Sequence, residues 1–111
     1  MQPVPASSPA PVGARPLRVT LGREQAEDTA RLLRVVSDPT RLQLLSLIHH
    51  SAEGRARVVD LTAALQFRQP TISHHLKVLV EAGVVERDPI GREVWYSIVP
   101  TRLAAIGDLL R

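Results

Sequence analysis

Residues 58–82 read as two helices joined by a three-residue turn, and directly after them the apolar spacing changes from helical to alternating. No other feature limits the fold as tightly. Val58, Leu61 and Leu65 share one face of a short helix near Val58 to Leu65, and Gln66-Phe67-Arg68 is the turn. The next helix runs from about Gln69 to Ala82. Ile72, Leu76 and Leu79 form its inner stripe, and Gly83 is placed to stop it. Val84-Val85-Glu86-Arg87 is then one strand candidate. Val94, Tyr96 and Ile98, alternating with Glu93, Trp95 and Ser97, make another. Asp88-Pro89-Ile90-Gly91 is the expected turn between them.

The flanking segments complete a small domain. A helix from about Arg23 to Val36 places Ala26, Ala30, Leu33 and Val36 on one face, with Glu24, Glu27 and Asp28 near its positive end. Asp38 is a natural N-cap and Pro39 a natural first helical residue. The helix they open runs to about His49 and is expected to bury Leu42, Leu45 and Ile48, with Leu44 alongside. Ser51 to Arg57 reads as a polar loop. Pro100-Thr101 ends the hairpin, and a last helix, Arg102 to Leu110, carries Leu103, Ile106 and Leu110 on one face. The expected class is mainly α with a small β-hairpin: four helices, a two-stranded wing and a fifth helix, a winged helix-turn-helix over residues 21–111. Residues 1–20 are expected to be a disordered arm, because five of the nine prolines fall in residues 1–16 and little there can be buried.

Charge is distributed unevenly. The 111 residues carry a formal +3, with Lys77 the one lysine among 14 basic residues. Between residues 54 and 80, Arg55, Arg57, Arg68 and Lys77 face Asp60 alone, a local +3. Residues 81–93 hold Glu81, Glu86, Asp88 and Glu93 against Arg87 and Arg92, a local −2. A basic segment inside a small domain is the footprint of a nucleic-acid partner, although a solvated face has the same composition. With no cysteine, disulfides and thiolate metal sites are excluded. No apolar run approaches ~18 residues, and no secretion signal is evident, so a cytoplasmic protein is expected.

The helix from Gln69 carries the functional reading. Its stripe holds it to the domain, which leaves Gln69, Thr71, Ser73, His74 and Lys77 on the free side for the major groove. Gln pairs with adenine through its two-pronged amide, Ser, Thr and His meet base edges or phosphates, and Lys77 suits a phosphate. An enzyme is not expected. Ser73 and His74 are neighbours that both point outward, not toward each other as nucleophile and base must. A module that only pairs with another regulator is the alternative class; the intact polar face from Gln69 to Lys77 favours DNA.

Residues 30–98 resemble the ArsR/SmtB family of winged-helix repressors. The resemblance rests on Ser37-Asp38-Pro39-Thr40-Arg41-Leu42, Val59-Asp60-Leu61, Gln69 to Leu79, Ala82-Gly83-Val84-Val85 and Gly91-Arg92-Glu93-Val94-Trp95-Tyr96. It implies a homodimer joined through the first and last helices, binding promoter palindromes and released by an inducer. By motif it carries the base-reading role to Gln69, Thr71, Ser73 and His74, and the wing role to Arg92 with Arg87 flanking. One position departs. The family usually has a capping Ser before Gln69, whereas this chain has Arg68. Losing that cap costs about 1 kcal/mol, which a phosphate gripped by Arg68 would offset, so Arg68 joins the expected DNA contacts.

The metal-sensing half of the family pattern is missing. The stretch Ala56 to Asp60, where relatives place Cys, has none, and the last helix has no His. His49, His50 and Glu53, with Asp60, are the weak candidates left for zinc or nickel. Adjacent histidines diverge on a helix, so neither pair chelates alone. Some family members act in nickel-responsive control of superoxide dismutase genes with a second protein, and an accessory sensor protein stays open as an alternative.

Overall fold

The computed structural model describes residues 15–108. The elements are α1 (Arg23–Val36), α2 (Pro39–His50), a 3₁₀ turn (Ala52–Gly54), β1 (Arg55–Arg57), α3 (Val58–Leu65), α4 (Gln69–Glu81), β2 (Val85–Ile90), β3 (Glu93–Ile98) and α5 (Pro100–Asp108). Most of the expected arm, and Leu110 of the expected last helix, lie outside the described residues; residues 15–20 carry no helix or strand. No helix among the described residues is long and apolar enough to cross a membrane.

The helix ends follow from local chemistry. Asp38 is extended at φ −140°, and its carboxylate accepts the Arg41 backbone N–H at 3.0 Å, with Pro39 in the first turn. At the end of α4, Gly83 sits at φ +75°. Its N–H donates to the Val80 carbonyl at 2.9 Å and the Val84 N–H to the Leu79 carbonyl at 3.1 Å, the paired bonds of a Schellman stop. The Arg41 N–H and the Arg41 charge hold the Asp38 carboxyl below its ordinary 3.8. A carboxyl depressed on folding stabilises the fold above its unfolded pKa, and that contribution disappears as pH falls through the folded value. Asp38→Ala is therefore expected to lower the melting temperature at pH 7, with the gap from wild type closing below pH 3.8. Melts followed by circular dichroism from pH 7 to 2 check this; a gap constant over that range would remove the cap from the account.

The sheet corrects the expected wing in two respects. It has three strands in the order β1-β3-β2, both pairings antiparallel. The expected polar loop from Ser51 to Arg57 contains the 3₁₀ turn and then β1, whose Ala56 is buried opposite Tyr96. Three residues are too few to show an alternating period, and the strand exists because β3 has a second edge to pair. The other correction moves the hairpin turn. Asp88, Pro89 and Ile90 belong to β2, paired with Trp95, Val94 and Glu93, and the turn is Gly91-Arg92. Gly91 takes φ +62° while Arg92 stays out of that region, as a tight hairpin with glycine first requires. Pro89 is tolerated because β2 is an edge strand, where a missing N–H breaks no ladder on the open side.

The core forms where α2, α3, α4 and the sheet meet. Ile72, Leu76 and Leu79 of α4 are fully buried, as the spacing predicts, and so are Leu44 and Ile48 of α2. Two expected core positions are not. Leu42 is 52% exposed and Leu33 is 42% exposed. The side of α1 that packs on the core is Leu32, Val35 and Val36, so Leu33 is left exposed and Ala26 and Ala30 are half-buried outside the core.

Candidate nucleic-acid interface

Helix α4 is gripped from one side only. It packs on α1, α2, α3 and β2, and its free face presents Gln69, Thr71, His74 and Lys77 exposed, with Ser73 half-buried beside them. Arg68 at its N-cap is exposed, extended and makes no side-chain cap bond. Pro70 has no N–H, and the Thr71 and Ile72 N–H groups turn back to the Arg68 carbonyl. Of the first residues of α4, that leaves Gln69 with an N–H free for a phosphate.

The two histidines of α4 separate. His74 faces solvent, whereas His75 is half-buried with its Nδ1 3.1 Å from Arg41 Nη1. Arginine only donates, so Nδ1 of His75 accepts and carries no proton in this arrangement. Arg41 Nε also donates to the Val35 carbonyl at the end of α1. Arg41 thus ties α1 and α2 to the reading helix and acts as a positioning residue. Sequence reasoning assigned it no role; the signal was an arginine among the leucines of α2, one turn after a capping aspartate.

Ion pairing sorts the cations. Arg23, Arg31, Arg55 and Arg57 each pair with a carboxylate. Arg57 bridges Asp60 at 3.0 Å and Glu93 at 2.7 Å, and these acids hold its guanidinium still more firmly charged. Arg55 and Arg57 also stack on the Trp95 ring, at 4.5 and 5.3 Å. The basic segment expected between residues 54 and 80 therefore loses two of its arginines to internal partners. Among the described residues, Arg68, Lys77, Arg87 and Arg92 pair with no acid. Among the same residues Arg15, Arg18, Arg34, Arg41 and Arg102 have no acid partner either; of these Arg41 is held by the Val35 carbonyl and His75, and Arg102 by the Ala82 carbonyl.

The wing has two unlike faces. Register places Glu86, Asp88 and Glu93 on the face shared with Trp95, and Arg87 on the other face opposite Tyr96. Arg87 and Lys77 line one groove between α4 and the wing, with Ser73 and Tyr96, in a volume of about 300 Å³. Glu81 stands at the same groove. Arg92 is exposed at the wing tip. A polyanion approaching this side meets the α4 face, the groove and the tip, while the acid-bearing face of the wing would repel it.

The weak metal candidates do not converge. The His49 and His50 rings stand 5.0 Å apart at 85°, and Nδ1 of His50 lies 2.8 Å from the Ser46 carbonyl. Glu53 is paired with Arg55 at 3.0 Å. Among the described residues no three His, Cys, Asp or Glu side chains group so as to hold a metal ion, so these residues do not fit the metal centre of a sensor.

Residues 38–87 match the family described as "Bacterial regulatory protein, arsR family". The chain is 32% identical over 106 residues to a biofilm growth-associated repressor of Agrobacterium fabrum, covering 96% of this chain and 86% of that one. It is 35% identical over 72 residues to an arsenical resistance operon repressor of Staphylococcus aureus, covering 65% and 66% of the two chains. A solved antimony-specific transcriptional repressor, AntR, superposes with a TM-score of 0.68 at 26% identity, over 95% of this chain and 92% of the other. Helix order, three-stranded wing and sequence agree: the chain belongs to the ArsR/SmtB family of winged helix-turn-helix transcriptional regulators, not to an enzyme family.

Proposed function

We propose that this protein is a sequence-specific DNA-binding repressor that acts in the cytoplasm as a homodimer on a promoter palindrome. The observation that carries the reading is the clustering of unpaired cations. Arg68, Lys77, Arg87 and Arg92 surround the one polar helix face whose reverse side is locked into the core. In this reading Gln69, Thr71, Ser73 and His74 contact base edges, and the four cations contact phosphates. Exposed Leu33, with half-buried Ala26 and Ala30 beside it on α1, and α5 support the dimer, which must set two copies of α4 about 34 Å apart.

Fluorescence anisotropy with the protein's own promoter region tests the reading. Saturable binding of two chains per duplex is expected. Gln69→Ala is expected to relax discrimination at one base position by about 1–3 kcal/mol, roughly 5- to 150-fold, with melting unchanged because Gln69 is exposed. A Gln69→Ala protein that kept full discrimination would refute its role, and a strictly monomeric complex would refute the dimer.

A further inference from the structure

A second concave site lies on the far side of α2 from the reading helix. It is a half-open groove of about 730 Å³ between α2, β3 and α5, inside the range of about 300–1,000 Å³ that small-molecule sites occupy. Its walls are apolar: Leu42 and Leu45 from α2, Ile98 from β3 and Leu103 from α5. Its ionisable groups are His49 and His50, and no acid lines it. Both histidines end α2. His50 already donates through Nδ1 to the Ser46 carbonyl, so its Nε2 is the atom left to meet a ligand. Apolar walls with two imidazole bases at one end and no carboxylate are complementary to one ligand chemistry, an apolar acid.

We propose that this groove is the sensor site of the repressor, and that it takes a small apolar molecule bearing one anionic group, such as a carboxylate. This rests on the DNA-binding reading above and deepens it by naming the class of signal. The same helix that lines the groove also touches the reading helix. Leu103 faces the groove, and its neighbour Arg102 donates through Nη2 to the Ala82 carbonyl, 3.2 Å away, at the C-cap of α4. Gly83, the residue that stops α4, lies against Arg102 as well, 3.6 Å from Nε when a Cβ is placed on it. A ligand that wedges α5 away from α2 draws on the cap of α4. Binding in the groove and binding to DNA are then coupled, each lowering the affinity of the other by the same factor.

The test uses the full chain and the probe 1-anilinonaphthalene-8-sulfonate, an apolar anion whose fluorescence rises on burial. Displacement is read with decanoate and with decanol. The expected result is one displaceable site per chain and at least tenfold preference for decanoate. Leu42→Glu, at an exposed position on the groove wall, weakens probe binding at least tenfold. His49→Gln with His50→Gln removes the preference for decanoate over decanol. Decanoate lowers promoter affinity several-fold in wild type, and Arg102→Met keeps decanoate binding while losing that response. Absence of displaceable binding in the dimer means that a second copy covers the groove, and it overturns the proposal. Probe binding indifferent to Leu42→Glu, or equal affinity for decanoate and decanol, overturns it too. An undiminished DNA response in Arg102→Met overturns the coupling route. The DNA-binding reading fails separately, through absent promoter binding in the ligand-free protein.

Discussion

Leu76→Ala is expected to destabilise the domain by about 2–5 kcal/mol and to weaken DNA binding alike at every sequence. Leu76 is the middle residue of the α4 stripe, fully buried between Ile72 and Leu79. Removing its side chain loses the transfer free energy of the buried carbons and leaves a cavity, because α2, α3 and β2 close over it and are held by their own packing. Small domains hold about 5–15 kcal/mol in all, so this one substitution removes a large part of the margin. Urea unfolding followed by circular dichroism reads the loss. Binding measured where the variant is still folded separates stability from recognition, since the variant keeps every group proposed to face the DNA. A loss below about 1 kcal/mol, the size of a well-tolerated core swap, would mean that α4 is not held by its stripe. Preference among base sequences should stay as in wild type, the converse of Gln69→Ala.

What could be read in the residues before any coordinates differs from element to element for physical reasons. Helix α4 was legible to within a residue. Three leucine or isoleucine positions at helical spacing, Pro70 in the first turn and Gly83 after the last are local signals that all agree. Asp38 and Pro39 marked the start of α2 in the same way. Strand β1 was not legible, since Arg55-Ala56-Arg57 has no period and depends on pairing with residues about 40 positions later in the chain. The wing turn was misplaced because Pro89 is a turn residue by habit and an edge-strand residue here by topology. Leu33 and Leu42 show a different limit. Periodicity says that a face is apolar; it does not say which surface covers it, and within one chain these two remain open. Charge counting failed at Arg57 for a similar reason, since one of its two carboxylates, Glu93, is brought to it only by the fold. That failure sharpened the site, because subtracting Arg55 and Arg57 leaves the cations that surround α4.

Under the proposed reading, those remaining cations are expected to make binding steeply dependent on salt. In the proposed homodimer each protomer would offer Arg68, Lys77, Arg87 and Arg92, hence eight contacts. Each neutralised phosphate releases condensed counterion, with a slope of log affinity against log salt of about −0.9 per contact. A slope near −7 is expected, a loss of about 10³–10⁵ in affinity between 50 and 200 mM salt. Lys77→Ala removes two contacts from the dimer and should make the slope shallower by about 1.8. Arg57→Ala is the discriminating control. A count of charges along the chain treats Arg57 as equal to Lys77, but Arg57 is held by Asp60 and Glu93 and stacked on Trp95, so its loss should leave the slope unchanged. Anisotropy titrations at four or more salt concentrations give all three slopes. If Arg57→Ala flattens the slope as much as Lys77→Ala does, the phosphate path runs over the acid-bearing face of the wing. The arrangement argued from ion pairing would then be wrong, whatever the fate of the reading helix.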